Sequence, residues 1–129
     1  MTITIRDRKA PEPGDVFWAD LDPVRGTEQA GRRPVVVLSD DRLHDVSLRS
    51  LVCPVASNRQ AWPTKVLIPD DCVVSGAILI DQARMIDRDE RLLLFIGRLP
   101  DEVVSVAVEA LTMFLGRPRD ENPRQSFPR

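Results

Sequence analysis

The chain has 129 residues, 43% of them apolar and 29% charged, which suits one soluble domain around one modest core. A net charge of −2 excludes a protein that coats nucleic acid by bulk attraction. No apolar run approaches the roughly 20 residues of a membrane helix, and the start has no apolar h-region, so no membrane association and a cytoplasmic location are expected.

Residues 1–13, charged and containing proline, read as a flexible lead-in. Asp15–Leu21 (DVFWADL) predicts a strand in which Phe17 and Trp18 face opposite ways. Asp22 and Pro23 end it, and a polar loop with Gly26 and Gly31 follows. Pro34–Ser39 (PVVVLS) is a β-branched run that predicts a buried strand. Asp40–Asp45 predicts a short helical turn capped by Ser39 or Asp40.

Leu48–Ala56 predicts a third strand, with Pro54 marking a strand end, an edge or a bulge. A loop over Asn58–Pro63 leads to a fourth strand at Thr64–Ile68. Ala77–Ile86 predicts one long strand, and Leu92–Leu99 fits a strand or a short helix equally. Asp101–Leu115 predicts a helix with Val104, Ala107, Val108, Leu111, Phe114 and Leu115 on its apolar face and Glu102, Ser105, Glu109 and Thr112 opposite. Acidic residues in its first turn suit the helix dipole, Gly116 closes it and Pro118 prevents its resumption. Residues 117–129 read as a disordered tail, so the organisation is a lead (1–13), one domain (14–116) and a tail. Short strands and one late helix imply a small, mainly β, α+β fold.

From Arg25 to Lys65 seven basic residues meet four acidic ones, a local net charge of +3 on an otherwise acidic chain. That pattern fits either specific phosphate contacts or a mixed solvated surface. Cys53 and Cys72 read as reduced, buried thiols, and with His44 as the single histidine no metal site is expected.

Residues 14–39, GDVFWADLDPVRGTEQAGRRPVVVLS, resemble the N-terminal signature of the MazF/PemK toxins, in which G-[ST]-EQ-x-G-x-RP leads into an aliphatic run. LVCPVASN at 51–58 is similar to that family's PxTS strand end, AILIDQARMID at 77–87 to its DQxRxID segment, and IGRLPDEVVSVAVEALTMFLG to its closing helix. The four ordered blocks cover residues 14–116. The resemblance implies an SH3-like small β-barrel of the MazF/PemK/CcdB type with a C-terminal helix, assembled as a homodimer. It also implies metal-independent, sequence-selective cleavage of single-stranded RNA, no cofactor, and an acidic antitoxin partner that blocks the RNA groove.

RNA can be cut without a metal because its 2′-hydroxyl attacks the adjacent phosphorus. The site needs a base, cationic donors for the phosphorane and a way to neutralise the leaving oxygen. Arg33 matches the family's catalytic arginine, whose guanidinium holds two phosphoryl oxygens in one plane. Glu28 matches the loop glutamate and takes either the 2′-hydroxyl proton or a loop-ordering role. Arg25, Gln29, Arg32, Ser57, Asn58, Arg59, Asp81 and Gln82 are candidate RNA contacts, and Trp62 is a platform on which a splayed base can stack. Arg84 is expected beside Asp81, and His44, outside the motif blocks, reads as a non-catalytic surface or partly buried residue.

Position 56 departs from the pattern. The family places a phosphate-contacting threonine there, and this chain has Ala56 followed by Ser57. Loss of one transition-state donor costs about 10²–10³ in rate. Ser57 faces away from that position in a regular strand and substitutes only if the strand bends. The chain is then a slow enzyme, an enzyme using another group, a silent homologue that binds antitoxin or RNA, or a toxin carrying an introduced alanine. A gyrase poison of the CcdB kind is a further reading, against which the intact GTEQAGRRP loop argues.

Overall fold

A computed structural model of the protein describes residues 10–21, 31–116 and 118. The expected lead-in and tail fall largely outside the described residues. The elements are β1 (Asp15–Asp20), β2 (Arg32–Val37), α1 (Asp41–His44), β3 (Arg49–Ala56), β4 (Lys65–Leu67), β5 (Ala77–Leu79), a 3₁₀ turn (Ile80–Gln82), β6 (Arg84–Asp87), α2 (Arg88–Arg91), β7 (Leu92–Arg98) and α3 (Asp101–Phe114). All ladders are antiparallel and run β4-β5-β3-β2-β1-β7, with β6 also on β3. This is the mainly β, α+β architecture that the pattern of short strands implied. Among the described residues no helix is long and apolar enough to cross a membrane.

The run of valines in β2 is explained by burial on both faces. Val36 joins Val16, Cys53, Val55 and the inner side of α3 in one core, whereas Val35 and Val37 join Phe17, Ala19, Val52 and Ile86 in the other. Successive strand residues point to opposite faces, so a strand covered on both sides is apolar throughout. In β1, Phe17 is buried and Trp18 is 41% exposed, as alternation requires.

The long strand expected over Ala77–Ile86 is instead two strands separated by the 3₁₀ turn. Val55 pairs with Ile78 and Val52 with Arg84, so three extra residues are looped out opposite the interval between Val52 and Val55. Pro54 gives the reason. The N–H of Leu51 donates to Ser39 and its carbonyl accepts from Leu38, so residue 51 points its polar groups towards β2. By alternation Pro54 points towards β5 and β6, the flank where its missing N–H cannot sustain a ladder. The loop on the partner strand sits at that gap.

β7 resolves the ambiguous Leu92–Leu99 segment as a strand beside β1. α3 starts where expected and ends at Phe114, one residue short of the expected Leu115, with a rotated face: Val103, Val104 and Ala107 are buried, while Val108, Phe114 and Leu115 are exposed. Apolar residues surround most of this helix, so periodicity alone does not select the face; packing on β4 and the 3₁₀ turn does. The chain leaves the helix at Leu115, in an extended conformation, one residue before the Gly116 expected to close it.

α1 forms where expected, capped by Asp40, whose carboxylate accepts from the Arg42 amide and guanidinium. Those bonds hold the Asp40 carboxyl well below the usual carboxylate range.

Candidate functional site

β2 and β3 bring the two central positions of the motif together. Their ladder pairs Val37 with Val52 and Val35 with Pro54; continued two residues further, it sets Arg33 opposite Ala56. Arg33 also pairs with Ala19 of β1, and Ala56 with Ala77 of β5. Cross-strand partners share a face, so Ala19, Arg33, Ala56 and Ala77 form one row across four strands. Arg33 is half-buried on this face, whose inner residues belong to the Phe17 core. Arg32, one residue earlier, is exposed and points to the other face, so it does not duplicate Arg33.

Arg25, Glu28 and Gln29 lie outside the described residues. The neck of their loop does not: the Leu21 amide donates to Gly31 O at 2.9 Å. Two guanidinium groups hold the strand end leading into it. Arg84 donates to Leu21 O at 3.4 Å and Arg91 to Asp20 O at 3.3 Å. Sequence reasoning set Arg84 beside Asp81 and gave Arg91 no role. For Arg84 the fixed DQxR spacing was a usable signal, because the 3₁₀ turn delivers it to the same sheet face as Arg33. Arg91 carries no such signal.

The chain bends at Ser57 immediately after β3, and Ser57 is exposed. The alternation that would turn its hydroxyl away from the face of Ala56 stops there. Gly76 presses against this corner at φ +119°, and a β-carbon built on it stands 2.0 Å from Ala56 O. Only glycine allows that approach.

Asn58 and Arg59 brace the following loop. Asn58 Oδ1 accepts from the Gln60 amide at 2.8 Å, and Arg59 Nη1 donates to Ile68 O at 2.6 Å and to Gly76 O at 3.4 Å. Trp62, at the far end of the loop, is 64% exposed. Asp81 and Gln82 lie on the 3₁₀ turn, Asp81 exposed and Gln82 half-buried. Burial, aided by the charge of Asp81, pushes the Cys53 thiol up to about 12. Cys53 thus stays protonated and is no nucleophile. Cys72 is half-buried and also free.

His44, expected at the surface or partly buried, is buried. Its Nδ1 donates to Pro11 O at 2.6 Å, and its Nε2 lies 2.7 Å from Ser39 Oγ and 2.9 Å from Ser50 Oγ. Arg88 closes the cluster by donating to His44 O at 3.3 Å and Arg49 O at 3.0 Å. With both ring nitrogens committed inside the fold, His44 is a structural residue. Among the described residues no group of three or more His, Cys, Asp or Glu could hold a metal ion.

A family profile described as PemK-like, MazF-like toxin of type II toxin–antitoxin system matches residues 12–115. The chain belongs to this family. It is 36% identical over 107 residues to the Endoribonuclease EndoA of Bacillus subtilis, covering 79% of this chain and 91% of that one. It is 35% identical over 79 residues to the Endoribonuclease toxin MazF of Escherichia coli, covering 61% and 70%. A crystal structure of MazF from Deinococcus radiodurans superposes with a TM-score of 0.74 at 33% identity, covering 83% of this chain and 97% of that one. A MazE–MazF structure from the same organism superposes at 0.69 with 32% identity, covering 80% and 93%.

Proposed function

We propose that this chain is the toxin of a type II toxin–antitoxin pair and a metal-independent endoribonuclease that cuts single-stranded RNA at selected sequences. It acts as a homodimer in the cytoplasm and is restrained by an acidic antitoxin. What supports the reading is the β2–β3 register, which ends at Val35 and Pro54 and, continued by two residues, would set Arg33 opposite position 56. The endoribonuclease names of the Bacillus and Escherichia relatives, and the toxin–antitoxin complex from Deinococcus, support it.

In this reading the RNA 2′-oxygen bonds to the adjacent phosphorus while the bond from phosphorus to the 5′-oxygen breaks, and that oxygen takes a proton from water, giving a 2′,3′-cyclic phosphate and a 5′-hydroxyl. Glu28 takes the 2′-proton. Arg33 spans two phosphoryl oxygens and stabilises the charge that grows on them. Ala56 donates nothing, and the bend at Ser57 lets that hydroxyl approach the phosphate instead. Arg25, Gln29, Arg32, Asn58, Arg59, Asp81 and Gln82 are the surrounding RNA contacts. Arg59 acts with part of its donor set, since Nη1 already serves Ile68 and Gly76.

The test is cleavage of a long single-stranded RNA in EDTA by the parent chain and by Arg33→Ala, Ser57→Ala and Ala56→Thr, with the cut ends mapped. The parent is expected to cut at defined sites, Arg33→Ala and Ser57→Ala to lose about 10²–10³ in rate, and Ala56→Thr to gain. Ala56 also favours a second reading, a silent homologue that binds antitoxin or RNA without cutting. A parent without activity, made active by Ala56→Thr, establishes that reading. No cutting by either chain overturns the ribonuclease assignment.

A further inference from the structure

Ala56 and Ala77 form the last pair of the β3–β5 ladder, and the chain bends at Ser57 immediately beyond it. Where the Ser57 hydroxyl points therefore depends on how the backbone of that bend is held. Gly76 packs on it from one side: a β-carbon built on Gly76 stands 2.0 Å from Ala56 O and 3.2 Å from Ser57 Cα.

Gly76 is held in turn by its own carbonyl, which accepts from the Ile68 amide at 3.0 Å and from Arg59 Nη1 at 3.4 Å. The same nitrogen donates to Ile68 O at 2.6 Å. One guanidinium nitrogen thus spans two carbonyls at the neck of the loop 69–75, where β4 passes to β5. Its two N–H bonds diverge in a fixed plane, so it can serve both acceptors at once. Arg59 is also only two residues past Ser57 in sequence. The backbone from Ser57 to Arg59, the guanidinium, Gly76 and the contact of Gly76 on Ser57 form a closed ring. A reacting group is placed accurately when the residues around it are locked by hydrogen bonds of this kind.

We infer that Arg59 is a positioning residue for cleavage: Nη1, bound to the carbonyls of Ile68 and Gly76, fixes the bend from which Ser57 reaches the phosphate. This role rests on the ribonuclease reading and on Ser57 serving where Ala56 cannot. It is separable from a contact between RNA and the other guanidinium nitrogens. Such a contact shows in KM and is indifferent to Ser57, whereas fixing the bend shows in kcat and matters only while Ser57 is present.

The experiment measures kcat and KM of the full chain in EDTA on an RNA carrying one mapped cut site. The chains compared are the parent, Arg59→Met, Ser57→Ala and the double variant, with folding checked by circular dichroism and thermal melts. Methionine keeps an apolar stem and removes the donors. Arg59→Met is expected to lower kcat about ten- to a hundredfold when Ser57 is present, and by less than about threefold in the Ser57→Ala background. Any change in KM is expected to be equal in both backgrounds. If the methionine variant does not fold, Arg59→Lys, which keeps the charge but lacks the fixed fork, takes its place in the same cycle. A kcat equal to the parent's, or the same loss with and without Ser57, overturns the positioning role and leaves the ribonuclease standing. Hydrogen exchange at the Ile68 amide, whose acceptor is Gly76 O, reads the tie without RNA. Should the parent cut no RNA, the ribonuclease reading falls; faster Ile68 exchange in Arg59→Met still sustains the tie at the bend, and unchanged exchange removes it.

Discussion

Replacing Gly76 by alanine tests whether the corner at Ala56 and Ser57 is held by close backbone packing. The residue sits at φ +119°, and its added β-carbon would lie 2.0 Å from Ala56 O and 2.9 Å from Ala56 C. The backbone strain costs about 1–3 kcal/mol. The contact must open by more than about 1 Å to reach ordinary separation, an overpacking cost of about 1–3 kcal/mol. A loss of at least about 2 kcal/mol is expected, or roughly 8 °C in melting temperature for a domain of this size. The neighbouring backbone carries Ser57, which the proposed mechanism brings to the phosphate, and on that proposal a displacement of about 1 Å costs about 10² in rate. Thermal melts and urea titrations read the first effect, and RNA cleavage the second. Gly31→Ala is the control: it too has positive φ, +72°, but nothing within 4 Å of its built β-carbon, so only about 1 kcal/mol is at stake. If Gly76→Ala melts within 2 °C of the parent and cuts RNA as fast, the corner is not held as described.

Three other outcomes follow from the same geometry. Arg84→Gln and Arg91→Gln free the carbonyls of Leu21 and Asp20; they should lower the cleavage rate about ten- to a hundredfold while shifting the melt little, and faster hydrogen exchange at the Leu21 amide should accompany the loss. His44→Ala removes the ring partner of the Pro11 carbonyl and one partner each of Ser39 and Ser50 in a buried cluster, so stability should fall by about 2–4 kcal/mol with the RNA cut sites unchanged; a moved or abolished cut pattern in a fully folded variant would give His44 a chemical role. Because the thiol of Cys53 is raised above its ordinary value, its proton stabilises the fold at neutral pH and that contribution fades only as pH climbs towards 12. Iodoacetamide at about pH 8 should therefore leave Cys53 unmodified until the chain is unfolded, and rapid labelling of Cys53 in the native protein would contradict its burial.

The parts of the fold legible in the sequence are those where one local pattern has one structural meaning. Alternation placed Phe17 inward and Trp18 outward, and the valine run of β2 could only be a strand covered on both faces. Pro54 marked the irregularity in β3, but its effect surfaced on the opposite strand, as the 3₁₀ turn at Ile80–Gln82. AILIDQARMI contains no glycine or proline of its own to announce a break. The face of α3 was unreadable for a different reason: valine and alanine on most sides leave the choice to tertiary packing. At the candidate site, motif spacing singled out Arg33 and position 56, and the β2–β3 register ends two residues short of that pair. The holding contacts of Arg84, Arg91 and Arg59 on backbone carbonyls were invisible, because a carbonyl acceptor leaves no trace in residue identity.

The order of the ladders also bears on when the protein can fold. β1, made first, is flanked by β2 on one side and by β7, the last strand to be synthesised, on the other. At about 5–20 residues per second, roughly 4–16 seconds separate the emergence of Asp20 from that of Arg98. During that interval the growing chain carries a β1 edge beside Phe17 that β7 has yet to cover. The β1–β2 pair that presents Arg33 is thus drafted early and locked late, so the nascent chain passes through a window in which the arginine exists without the sheet that aims it.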